Sequence, residues 1–221
     1  LKATYGRISE HGAAPLCASV GHVGPFGATA LDTLLAYAAM AGPDPLDPGS
    51  QFQPTVELGG LGGDLEGMTL GVYSPWFDDA EPDVVGACRA LLGALQERGA
   101  EVREVEIPDL DLARVAHLVT ISSEMLNNME RWLGDHRKEM GHDVRTSLAL
   151  AESLTNRDYI RAQQARSRTS ATFRRVLDEV DVIVTPTTGR TAPPIPADAL
   201  PGGESDLAVL SALMRFVFPA N

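Results

Sequence analysis

Apolar and polar positions along the chain change period in an order that spells strand, helix, strand, and then a long helical stretch. Residues 69–73 (TLGVY) form a short apolar run of strand length. Residues 83–98 follow with Val84, Cys88, Leu91, Leu92 and Leu95 at helical spacing, and Gly99 stands where a helix ends. Residues 101–107 (EVREVEI) then alternate as a half-exposed strand does, and Pro108 stops them. Strand, crossover helix and strand at this spacing predict parallel pairing with a right-handed connection. Beyond Pro108, Leu112, Val115, Val119, Ser122, Leu126, Met129 and Leu133 step by three or four, which predicts one long helix with that face buried. A second helix is expected over 143–154. A third is expected over 156–180, with Tyr159, Ala162, Arg166, Thr169, Phe173, Val176 and Val180 on or near one face. The run Val182-Ile183-Val184 is a buried strand by composition, leaving through Thr185-Pro186-Thr187-Thr188. Upstream, 29–41 read as a helix that starts on a Thr capping residue and stops at Gly42-Pro43. The stretches 44–53, 59–63 and 192–203 are too rich in Pro and Gly for regular structure, and 207–218 form a last helix.

Composition narrows the class without naming it. At 221 residues, 44% hydrophobic and 22% charged, the chain has ordinary globular composition and enough length for one large domain. No apolar run reaches the ~20 residues that span a bilayer. A formal charge of −12 argues against direct nucleic-acid binding, which rests on Lys and Arg neutralising phosphates. Cys17 and Cys88 are too few for a disulfide framework, and the five histidines show no metal-ligand spacing. A soluble cytoplasmic protein without metal or cofactor is expected. The acidic residues Asp78, Asp79, Glu81 and Asp83 precede the 83–98 helix and read as cap and dipole partners.

Six blocks together carry a resemblance. They are Leu1-Lys2 with Thr4-Tyr5-Gly6-Arg7-Ile8-Ser9, Gly12, Pro15, Ser19, Gly24 and Pro25; Ala41-Gly42 with Asp44-Pro45 and Asp47-Pro48; the strand–helix–strand from Gly67 to Pro108; Tyr159, Ala162, Gln163 and Arg166; and Asp181 to Thr187, followed by the terminal Phe216 to Asn221 segment. In this order and at these distances, the chain resembles the amidase signature family over essentially its whole length. The resemblance implies an α/β fold, a mixed β-sheet covered by helices, here as an incomplete central to C-terminal part. It also implies a single domain fragment over 1–221, truncated at both ends, that begins just after the catalytic serine loop.

Members of that family cleave carboxamides with a nucleophilic Ser, a bridging second Ser and a Lys held neutral by burial, while backbone N–H groups of a glycine-rich loop stabilise the oxyanion. By the resemblance, that set lies upstream of the Leu1-Lys2 block, so no catalytic residue is assigned in this chain. Lys2 and Lys138 are its only lysines, the first structural by analogy and the second in a solvated charged stretch. Ser122-Ser123 lies within a helical pattern without glycine. A Ser19–His22–Asp32 relay can be written on paper, but no nucleophile-elbow motif supports it. The resemblance assigns substrate binding to Arg166, as a fork for a carboxylate or amide oxygen, and to Thr187 on the strand exit. The alternative for Arg166 is a structural salt bridge.

Two departures matter for partners. Gly21 and Ala28 stand where the family usually has an Asp and an Arg. Their loss favours a stand-alone amidase over the amidase-like component of a glutamine-dependent amidotransferase. The third reading is a catalytically inactive remnant that only binds a ligand or partner. The implied partner is a small-molecule amide, with no nucleic acid or membrane and a possible homodimer.

Overall fold

A computed structural model describes residues 1–59, 62–195, 197–198 and 206–220. It divides the chain into two compact units, Leu1–Gly63 and Asp64–Ala220. Among the described residues no helix is long and apolar enough to cross a membrane.

In the first unit, helix α1 (Ala30–Met40) begins on Thr29, whose hydroxyl accepts from the Asp32 N–H while the Asp32 carboxylate takes the Thr29 N–H. This reciprocal cap is the start signal that the sequence carries. The TYGRIS block and the Asp-Pro repeat, separate in sequence, hold one another. Ile8 bridges Ala41, Ser9 Oγ donates to Asp44 Oδ2 at 2.7 Å, and the Glu10 N–H donates to Asp47 Oδ2 at 2.8 Å. Arg7 is buried, with its Nε donating to Tyr37 Oη at 2.9 Å. Gly6 sits at φ +69° against the Gly49 carbonyl, a place no Cβ could enter. Helix α1 itself buries no residue, although it is rich in Ala and Leu.

The second unit is built on three parallel strands in the order β2-β1-β3, with β1 Thr69–Val72, β2 Glu101–Glu104 and β3 Val182–Ile183. Thr69 pairs with Glu101, and Leu70 with Val182. The junction of β1 with β3 is locked by Asp181, whose carboxylate accepts from the Thr69 N–H and hydroxyl, each at 2.8 Å, across 112 residues of sequence. On one side of the sheet, Leu70, Val72, Phe77, Leu92 and Ala100 form a core with helix α3 (Pro82–Glu97). On the other, Trp76, Val105, Ile107, Val176, Val180 and Phe216 form a second core. Burying a side chain as completely as Ile107 is worth about 1.5–3 kcal/mol.

Short helix α2 (Ser74–Phe77) follows β1, its first residue held by Glu104 through bonds of 2.7 Å to the Ser74 N–H and hydroxyl. Four residues are too few for a periodic signal, so the pattern missed it. Helices α4 (Leu110–His136), α5 (His142–Ala151) and α6 (Asn156–Leu177) follow, then β3, α7 (Leu207–Leu213) and a 3₁₀ turn at Phe218–Ala220.

The expected α/β class stands, and the described sheet is parallel throughout. Each strand ends earlier than expected, although the Val105 and Val184 N–H groups still donate to the Val72 and Gly71 carbonyls. Two helix faces need correction. In α3 it is Val85, Cys88, Leu92 and Leu95 that pack on the sheet, while Leu91 is exposed. In α4 the buried residues are Ala113, Ala116, Thr120 and Met125, whereas Leu112 and Val115 are 46% and 55% exposed. The cause is α6, whose Ala162 and Ala165 meet Ala116 in a close seam, with Val119 packed beside them. The expected helix over 207–218 breaks after Leu213 into turns and the 3₁₀ end. Expectations for residues 60–61, 196, 199–203 and 221 lie outside the described residues.

Candidate functional site

Tyr159, Ala162, Gln163 and Arg166 fall at i, i+3, i+4 and i+7 of α6, so helical geometry brings them to one face, and that face lies on α4. Tyr159 Oη donates to Glu124 Oε1 at 3.0 Å, and Gln163 Nε2 donates to Thr120 Oγ1 at 2.9 Å. Thr120, fully buried, donates its hydroxyl to the Ala116 carbonyl at 2.8 Å. Each turn up α6 therefore meets a turn down α4, and the helices run antiparallel.

One turn further along this seam stands Arg166, half-buried, near enough to His117 for its charge to act on the imidazole. Burial holds the His117 imidazole below its ordinary pKa, and the positive charge of Arg166 adds to the effect. Burial, with the Glu124 carboxylate beside it, pushes the Tyr159 phenol up, and Arg166 opposes that shift. His117 Nε2 is buried without a hydrogen-bond partner, and its ring stands 6.4 Å from that of Phe218. Phe218 in turn lies 6.4 Å from Trp76, whose Nε1 is likewise buried and unpaired. Two polar atoms thus flank one aromatic cluster near the end of the chain. Native folds keep few such atoms, because each costs about 1–3 kcal/mol when its bond is left unmade.

The exit from β3 forms the second part. The Val184 N–H still donates to the Gly71 carbonyl, so the pleat continues and carries Thr185 to the same side as Ile183, which packs on the Trp76 core. Thr185 Oγ1 is buried and unpaired, and Pro186 is fully buried. Thr187 is exposed, and the contacts that hold its loop are made by its neighbours. Thr188 Oγ1 donates to the Arg190 carbonyl at 3.0 Å, and the Gly189 N–H donates to the Ala212 carbonyl at 3.0 Å. Gly189 lies so close to that carbonyl that a Cβ would collide with it.

Arg166 therefore belongs to the α4–α6 seam and Thr187 to the β3 exit loop. Nothing in the sequence points to His117, Glu124, Thr120 or Trp76, because the groups that surround each of them come from tens of residues away. The paper relay dissolves: Asp32 is committed to the Thr29 cap, and His22 Nδ1 lies 2.9 Å from the Val20 carbonyl, on the nitrogen an aspartate would have to orient. Ser122 and Ser123 lie inside α4. Lys2 Nζ donates to the Ala3 carbonyl at 3.0 Å, and burial holds its pKa below the ordinary lysine value.

Comparison with known proteins gives this arrangement its relatives. The family model described as Amidase matches residues 1–221. A fatty acid amide hydrolase of Medicago truncatula is 41% identical over 100% of this chain and 38% of its own length. An amidase of Pseudomonas putida is 33% identical over 88% of this chain and 41% of its own length. Among solved structures, a chain from a vestigial protein complex, described as revealing the evolutionary origins of an s-triazine catabolic enzyme, superposes with a TM-score of 0.81 at 28% identity. That superposition covers 99% of this chain and 48% of the other. The chain spans less than half the length of the proteins it matches. With the family model matched from end to end and the same fold recovered in solved members, the chain belongs to the amidase signature family.

Proposed function

We propose that this chain is the central to C-terminal part of a stand-alone amidase, hydrolysing a carboxamide C–N bond by Ser–Ser–Lys chemistry supplied from residues outside these 221. In this reading Arg166 and Thr187 contact the substrate, a small-molecule amide. The observation that carries it is the α6 seam: Tyr159 and Gln163 are bonded to α4 and Ala162 packs against it, and Arg166 continues the same face with its charge near enough to act on His117 and Tyr159. A guanidinium presents a planar fork that matches a carboxylate or an amide oxygen, a geometry that the point charge of Lys does not reproduce. The plant fatty acid amide hydrolases, 35–41% identical over the whole chain, favour an acyl amide. The Gly21 and Ala28 departures favour a stand-alone enzyme over an amidotransferase component. This reading is completed by a cytoplasmic homodimer.

The test uses the parent polypeptide that carries the serine loop. Arg166→Ala is expected to lower kcat/KM about tenfold to a hundredfold, the ~1.5–3 kcal/mol of a hydrogen bond to a charged group, without a matching loss of thermal stability. Arg166→Lys is expected to recover little of it. The 221-residue chain alone is expected to hydrolyse no carboxamide above background. Turnover by the isolated chain, abolished by Ser19→Ala, would overturn the assignment of the chemistry, and an unchanged kcat/KM in Arg166→Ala would remove the substrate role.

A further inference from the structure

The acidic residues ahead of α3 read from the sequence as caps for that helix, and the fold uses three of them otherwise. Glu81 is the N-cap residue of α3, yet its side chain makes no capping bond. Instead its Oε2 accepts from the Thr191 N–H at 3.1 Å and the Thr191 hydroxyl at 3.3 Å, 110 residues away. Its other oxygen lies 3.7 Å from Arg190 Nε, an ion pair too long for a hydrogen bond. The Glu81 N–H meanwhile donates to the Gly189 carbonyl at 2.8 Å. Asp79 binds Arg215 Nη1 through both its carboxylate, at 2.7 Å, and its carbonyl, at 2.6 Å. Asp78 takes Arg89 Nη2 on both oxygens, at 2.7 and 2.8 Å. Since the Gly189 N–H reaches Ala212 on α7, the exit loop is held from two sides. Its two holders, the 78–81 turn and the end of α7, are themselves joined by Asp79 and Arg215.

We propose that this turn is a clasp and that Glu81 is a positioning residue for substrate binding, fixing the 186–191 loop and through it Thr187. The Glu81 carboxylate stands at the N-terminus of α3 and spends its acceptor oxygen on the loop instead of the open N–H groups of its own helix. Charge matters less here than geometry: Glu81 and Arg190 are both partly exposed, so their ion pair is screened, whereas the bonds to the Thr191 N–H and hydroxyl fix the loop's direction. A neutral acceptor of the same length should therefore serve nearly as well. The proposal rests on the reading that the loop borders the substrate, and its two halves separate in experiment.

The first measurement is amide hydrogen exchange on the 221-residue chain. Glu81→Ala is expected to raise exchange at Thr191 about tenfold or more. Glu81→Gln, which keeps an acceptor oxygen, is expected to restore protection to within about threefold of the unsubstituted chain. Amides of Val84 and Val85 in the first turns of α3 should move by less than threefold, since the side chain never capped them. Unchanged exchange at Thr191, a uniform rise through α3, or no rescue by Gln would each overturn the clasp. The second measurement is kinetic, in the parent polypeptide. Glu81→Ala is expected to raise KM about fivefold or more with kcat changed less than twofold, and Glu81→Gln to restore it. A broken clasp with KM unchanged would overturn the positioning role. Loss of the Arg166→Ala effect bears on the substrate site alone and leaves the exchange result standing.

Discussion

A side chain at position 71 has nowhere to go. Gly71 lies mid-strand in β1, where a Cβ would stand 2.8 Å from Val180 Cγ2 and 3.2 Å from Val105 Cγ1. Both neighbours are buried, so neither can swing aside. Gly71→Ala is expected to cost about 1–3 kcal/mol, the usual range for overpacking a filled core, read as a lower denaturant midpoint at unchanged m-value. Val180→Ala should recover part of that loss when combined with it and destabilise when made alone. His117 gives a second residue-scale expectation. Burial, and then Arg166, lowers its folded pKa, so the unfolded chain binds the extra proton first. Stability is then full above the ordinary histidine value of about 6.5 and falls as the pH drops through it toward the folded value. Thermal midpoints between pH 7 and 5 should show that slope, and His117→Gln should flatten it.

At the scale of elements, period was legible in the sequence and phase was not. The i, i+3, i+4 rhythm locates α3, α4 and α6 to within a few residues, and Thr29 marks the start of α1 by local chemistry alone. Which stripe of α4 turns inward depends on α6, about forty residues on, where alanines replace bulk with closeness. Leu112 and Val115 look like core and are surface; Ala113 and Ala116 look neutral and are the seam. Val115→Ala is therefore expected to change stability by no more than about 0.5 kcal/mol, and Ala116→Leu to cost about 1–3 kcal/mol, an order opposite to hydrophobicity. Denaturant unfolding of the two variants settles it, and a larger loss for Val115→Ala would restore the sequence reading. The site follows the same rule. Arg166 could be singled out because its motif is local to one helix, but His117 and Glu81 could not, because their partners lie 49 and 110 residues away in the chain.

The molecule as a whole carries its carboxylates as acceptors. Backbone and side-chain donors hold Asp44 and Asp47 in the first unit below the usual carboxylate range, led by the Leu46 and Glu10 N–H groups respectively. In the second unit the Thr155 hydroxyl does the same to Asp158, the Thr69 N–H to Asp181, and Arg103 to Glu101. Every such group contributes stability that is present above its unfolded pKa, about 4, and is lost as the pH falls through the folded value. Acid unfolding should therefore begin below about pH 4 in both units, a window separate from that of His117. Asp181→Asn is expected to lower the midpoint at pH 7 and to weaken its fall on acidification, read by circular dichroism. The lock between Asp181 and Thr69 also bears on the timing of folding. On a ribosome adding about 5–20 residues per second, β1 emerges roughly 5–20 s before the strand that closes its free edge. Through that interval the half-made sheet offers an unpaired parallel edge, while the long helices can form from local contacts. Synthesis speed across 110–180 therefore sets how long the nascent chain stays open to mispairing, and slower codons in that stretch should lower its soluble yield while leaving the finished protein unchanged.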